Sequence, residues 1–183
     1  MTFDYPGYEL KFIQKDNCRD DSAHLSTFIF KFYSPITKHQ YIIRADFHYP
    51  EVFAVKFYCK KDSKSKYKYN KIVNKGDIGN IFITCIKVIP FLLEIYPNAS
   101  FGFAGARTID FKSKKAEGYA NNQRFRTYCY IISLKIGTET FTHFEYQNVS
   151  SYLLVNNFNP NPKITEELII SMFSSTYNEL TLD

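Results

Sequence analysis

Between Tyr8 and Cys59 the chain places apolar side chains at every second position, four times over. Tyr8, Leu10 and Phe12 form one such row, and Phe28, Phe30 and Phe32 another, with Ile29, Lys31 and Tyr33 on the opposite side. Tyr41, Ile43, Ala45 and Phe47 line a third, and Phe53, Val55, Phe57 and Cys59 a fourth. Successive side chains of a strand point to opposite faces, so a period of two marks strands with one buried face. The stretches between them carry Asp, Asn, Ser or Pro, which suit turns. Four short-linked strands in succession predict an antiparallel meander. Composition agrees: 18 Phe and 15 Tyr with no Trp favour pleated, half-buried surfaces.

Beyond Cys59 the pattern changes. Lysines alternate with Ser65, Tyr67 and Tyr69, which predicts a fifth strand over 64–73, joined to the fourth by the tip Lys61-Asp62-Ser63. A helix is expected over 77–96, capped by Asp77, apolar nearly all round and kinked by Pro90. Phe101 to Gly105 reads as a short strand, followed by a basic polar stretch from Arg107 to Asn121. Over 122–135, Phe125, Tyr128, Cys129 and Ile132 fit a helical stripe, whereas Tyr128, Tyr130, Ile132 and Leu134 fit a strand; Asn122 as a cap and Gly137 as a stop favour helix. Strands follow at 140–146 and 152–155. A closing helix begins near Thr165, with Glu166 and Glu167 in its first turn and Leu168, Ile169, Met172, Phe173 and Leu180 on its apolar side. The expected fold is α+β: an antiparallel meander sheet of five to eight strands covered by two or three helices, in a single domain over 1–183. Its parts are the N-terminal meander over 8–73, the helix over 77–96 and a mixed α/β part over 100–183.

Several function classes lack their residues. Cys18, Cys59, Cys85 and Cys129 form no CxxC pair, and His143 with Glu145 finds no third ligand, so no metal or cofactor is expected. Neither a nucleophile elbow nor a Gly-Lys-Ser/Thr phosphate loop is present. The first residues lack the basic and apolar regions of a signal peptide, and the apolar run from Ile81 to Tyr96 is interrupted by Lys87, Pro90 and Glu94. A cytoplasmic protein that does not enter a membrane is expected.

Charge is more telling by place than by sum. Of the net +5, residues 60–76 hold seven lysines against Asp62, whereas 136–183 hold Lys163 against six acidic groups. Two basic regions follow as candidate binding surfaces. The first is Lys64, Lys66, Tyr67, Lys68 and Tyr69, where lysines can neutralise phosphates and tyrosine rings can stack on bases. The plainer alternative is a charged edge that keeps sheets from aggregating. The second is Arg107, Arg124, Arg126 and Tyr128, with Lys112, Lys114 and Lys115. If 122–135 is a helix, Arg124 stands near its N-terminus and shares a face with Tyr128. The plainer alternative there is pairing with the acidic C-terminal part.

The stretch Lys75-Gly76-Asp77, the apolar helix, Tyr96-Pro97-Asn98-Ala99 and Phe101-Gly102-Phe103-Ala104-Gly105-Ala106-Arg107, with Asn122-Gln123-Arg124-Phe125-Arg126-Thr127-Tyr128, resembles a pattern in small uncharacterised bacterial proteins, chiefly of Bacteroidetes. The resemblance runs over roughly 74–156, and residues 107–121 are inserted relative to some of those proteins. It implies a bacterial, intracellular origin and carries no activity. The expected function is a non-catalytic binding module for nucleic acid or another polyanion. Two alternatives stand beside it: a metal-independent nuclease using Arg124, Arg126 and Tyr128, and a protein–protein module that pairs with an acidic partner, as in a toxin–antitoxin complex, or with a second copy of itself.

Overall fold

The computed structural model of the chain describes residues 5–71, 76–110 and 113–177. Val73, Lys75, Lys112 and Leu180, which entered the sequence expectations, lie outside the described residues. Strands β1 (Lys11–Asn17), β2 (His24–Ser34), β3 (His39–His48) and β4 (Val52–Cys59) form an antiparallel meander as expected, except that β1 starts later than the Tyr8, Leu10 and Phe12 row implies. Tyr8 and Leu10 precede it, and its pairing with β2 runs on to Asn17. The chain then crosses through α1 (Ile78–Ile86) and α2 (Val88–Ile95) to β5 (Ser100–Ala104), which pairs with β4 in parallel. A small β6–β7 ribbon (Ile109–Asp110 and Lys115–Ala116) precedes α3 (Gln123–Lys135), β8 (Phe141–Tyr146), β9 (Ser151–Asn156) and α4 (Pro162–Thr176). The main sheet runs β1-β2-β3-β4-β5-β9-β8, seven strands of an α+β fold.

The aromatic rows of the meander all face one side. There Phe28, Phe30, Tyr41, Ile43, Phe53, Val55 and Phe57 meet Phe82, Ile89 and Leu92 of the crossover and Phe125 and Ile132 of α3 in one continuous core. A smaller cluster of Val52, Leu153 and Val155 lies on the other side, under Ile169 and Met172 of α4.

The crossover helix breaks where Pro90 requires it. A proline cannot donate to the carbonyl four residues back and its ring crowds that group, here Ile86, which is the last residue of α1. Over Ile78–Ile95 the 18-residue run has the length and mean hydropathy, 1.8, of a membrane span; 56% of it is buried in the fold. At the N-cap position Asp77 accepts from the Ile81 N–H through its own carbonyl, but its side chain makes no bond to the helix backbone. Its buried carboxylate instead accepts from the hydroxyls of Tyr8 (2.7 Å) and Ser34 and from the Asn80 amide (3.0 Å), tying the N-terminal segment and the β2–β3 turn to α1.

Residues 122–135 resolve to helix. The Asn122 side chain accepts from the Phe125 N–H at 2.9 Å, as a cap residue should, and also donates to the Gly105 carbonyl. A side chain at Gly105 would lie 2.6 Å from that Asn122 oxygen and 2.9 Å from the Phe125 nitrogen, so only glycine permits the approach. The closing helix starts earlier than expected, at Pro162, capped by Asn161. Glu166 therefore falls past its first turn and is buried, accepting from the Tyr146 hydroxyl and pairing with Lys163.

The expected fifth strand is absent from the described part of its range. Lys60–Asp62 form a 3-10 turn, and further turns carry the chain to Asn70. The edge of β4 is instead occupied by β5.

Candidate functional site

The lysine segment lies on the surface, held from beneath. Lys64 and Lys66 are exposed, and no carboxylate lies within ion-pair distance of either among the described residues. Lys66 stands over the Tyr67 ring at 4.8 Å, and that ring is 37% exposed. Lys68 folds over Tyr58 and Tyr69, 4.6 Å and 5.3 Å from their ring centres. Lys71 is bound to Asp62 at 2.8 Å. Asn70 joins the segment to the second basic region, donating to the Arg107 carbonyl at 3.0 Å while its own carbonyl accepts from Ile109 at 3.3 Å. Arg107 stacks on the Tyr119 ring at 4.1 Å.

Arg124 and Tyr128 are not part of that surface. Arg124 is 7% exposed, and burial holds its pKa below the ordinary arginine value. Its guanidinium donates to the carbonyls of Tyr69 (2.5 Å) and Lys71 (3.5 Å) and lies 5.2 Å from the Phe57 ring centre. It is a bolt under the lysine segment. Tyr128 is buried between Phe82 and Phe103, and burial raises its hydroxyl well above the usual tyrosine range. Only Arg126 of the three residues of the nuclease alternative stays exposed, and it donates to the Asn121 carbonyl. His143 is held by the Tyr152 hydroxyl at 2.7 Å, and no three His, Cys, Asp or Glu side chains gather as a metal site among the described residues.

A second site stands on the α4 side of the sheet, built from residues that point away from the aromatic core. Arg44 and Asp46 alternate along β3, and Lys56 lies directly across from Arg44 on β4. Two cations opposite one another repel. Asp46, only 1% exposed, offsets them: Lys56 Nζ is 2.5 Å from its carboxylate and an Arg44 nitrogen is 3.7 Å away. Thr27 donates its hydroxyl to Asp46 at 2.6 Å and accepts from His24 Nε2 at 3.0 Å and from Arg44 at 3.3 Å. Burial pushes the Asp46 carboxyl up, but Lys56, Thr27 and Arg44 together pull it below the ordinary carboxylate value.

His48 is fixed in one tautomer by its neighbours. Its Nδ1 lies 2.8 Å from the Asp46 carbonyl, which can only accept, so that nitrogen carries the proton; Nε2 then accepts from the Tyr177 hydroxyl at 2.7 Å. Burial, helped by His24, pushes the His48 pKa down to about 4.

Beside this cluster a cavity of about 380 Å³ opens between α4 and the sheet. Its floor is Gly102, Ala104 and Leu153, and Phe173 and Ile169 of α4 form one wall. Lys56, Tyr69 and Tyr177 close one end, and Tyr146 stands at the other. A side chain on Gly102 would reach Phe173 at 3.3 Å, so the bare glycine leaves the floor open. Sequence reading passed over this site. Its signal was present, however, in the outward-facing row Arg44, Asp46, His48 and its partner Lys56, where charges stand on the faces opposite the aromatic rows.

Compared with family models, curated proteins and solved structures, the chain gives no match.

Proposed function

We propose that the chain is a non-catalytic binding module for a polyanion, single-stranded nucleic acid, taken up on Lys64, Lys66, Tyr67, Lys68 and the adjoining Arg107. The observation that carries this reading is the exposure of Lys64 and Lys66 without a carboxylate partner, beside the exposed Tyr67 ring. Ammonium groups left unpaired on a folded surface release counterions from a phosphate chain, and an exposed ring offers a base a stacking partner. Asn70 brings Arg107 alongside, which extends the strip. The buried Arg124 supports it indirectly, by fixing the backbone from which the lysines project.

Fluorescence anisotropy with labelled single-stranded RNA and DNA across a salt series tests the reading. Binding should weaken steeply with salt, and each phosphate contact removed by Lys64→Ala or Lys66→Ala should lower the log–log slope by about 0.7. Tyr67→Ala should cost about 1–3 kcal/mol if a base stacks there. Absence of binding at low salt, where attraction is strongest, overturns the reading and leaves the lysines as a docking face for an acidic protein.

A further inference from the structure

We propose that the cavity under α4 is a binding site for a small aromatic carboxylate, with its ring over the Gly102 floor and its acid group at the Lys56 end. This site is separate from the lysine strip and stands whether or not that strip binds a polyanion.

Size and lining set the body of the ligand. About 380 Å³ is within the range of small-molecule sites, and Leu153, Ile169 and Phe173 offer it only apolar surface. Between Lys56 on β4 and Tyr146 on β8 lie three strand spacings, about 14 Å between backbones, which leaves room for a fused ring system rather than a long chain.

Charge sets the polarity and the orientation. At the β3–β4 end, Arg44 and Lys56 carry two positive charges, Asp46 is the carboxylate that pairs with both, and His48 is held neutral, so within this hydrogen-bonded cluster the cations outnumber the anion. Lys56 and Tyr69 both line this end of the cavity, so the Lys56 ammonium and the Tyr69 hydroxyl are the donors that an acid group placed there would meet. The Tyr177 hydroxyl is committed to His48. The far end offers nothing comparable, because Tyr146 gives its hydroxyl to Glu166 and Glu166 is already paired with Lys163. An anion at that end would meet a carboxylate; at the Lys56 end it meets the Lys56 ammonium and the Tyr69 hydroxyl.

Isothermal titration of the full chain with 2-naphthoate and with neutral 2-naphthalenemethanol tests this directly. The expected result is naphthoate bound about tenfold or more tighter than the alcohol, since charge-assisted hydrogen bonds are the stronger kind. Lys56→Gln, which removes the cation that lines the cavity, should bring the two affinities within about threefold while leaving the alcohol unchanged. Gly102→Leu should abolish binding of both. Lys64→Ala with Lys66→Ala should leave naphthoate binding untouched, which separates this site from the polyanion strip. Equal affinity for acid and alcohol in the unaltered chain, no heat up to millimolar naphthoate, or undiminished binding by Gly102→Leu would each overturn the proposal.

Discussion

His48 is buried, its Nδ1 proton given to a backbone carbonyl and its Nε2 occupied by Tyr177. Protonation of Nε2 would place an imidazolium charge in the interior, which burial and the neighbouring His24 both oppose. With a folded pKa near 4 against an ordinary value of 6.5, the unfolded chain takes up the proton first as pH falls. His48 therefore contributes its full stability above about pH 6.5, and that contribution is lost progressively down to about pH 4. Asp46 behaves in the same sense at lower pH, because its folded pKa lies below the unfolded one and its contribution goes as the carboxylate protonates. The urea midpoint should thus fall between pH 6.5 and 4 in the native chain, and His48→Gln should flatten that window. A slope unchanged by the substitution would show that other groups set it.

At the scale of elements, the lysine segment has the period of a strand without the second property of one, a face to bury. Lys64 and Lys66 stay in water, and the turns of this segment depend on tertiary bonds, above all those from Arg124. Arg124→Ala should lower stability by about 1–3 kcal/mol and speed trypsin cleavage at Lys64 and Lys66 several-fold; Lys at the same position cannot reproduce the fork that reaches both carbonyls. Cleavage at the native rate would show that the segment holds itself. Phe82 belongs to the opposite case. It is 1% exposed and meets the rings of Phe57 (5.5 Å) and Tyr128 (4.6 Å), so Phe82→Ala should cost about 3–5 kcal/mol by thermal or urea unfolding. The meander and the capped helix α3 were legible because period and cap are local signals. The partner of β4 was not. A parallel neighbour arrives through a crossover some 40 residues later, and nothing beside Cys59 announces it. Arg124 was misread for a related reason: an arginine's position in a sequence does not tell whether its donors face solvent or the carbonyls of a distant turn.

In the whole molecule, one large core joins the meander to the crossover helices, α3 and the later strands, while α4 covers a smaller cluster on the other face of the sheet. Phe28 to Cys59 supply one side of the large core, while Phe82, Phe125 and Leu154 come from later segments. The meander by itself would leave Phe30, Phe53 and Phe57 facing water, and β4 without its outer neighbour. A fragment ending at Lys71 should therefore show no dispersed amide spectrum and should aggregate, whereas the full chain should unfold in one cooperative step. A folded, soluble fragment would show that the meander is an independent unit.

The parallel junction of β4 with β5 also has a consequence in time. During synthesis the meander leaves the ribosome well before its outer partner exists. At about 5–20 residues per second, the roughly 40 residues between Cys59 and Ser100 take some 2–8 seconds to make. For that interval the β4 edge is open to any other nascent strand. The next residues to emerge are seven lysines between 60 and 75. Charge placed immediately behind an open edge discourages such pairing, so Lys64 and Lys66, which project from the finished surface, also help guard the unfinished one.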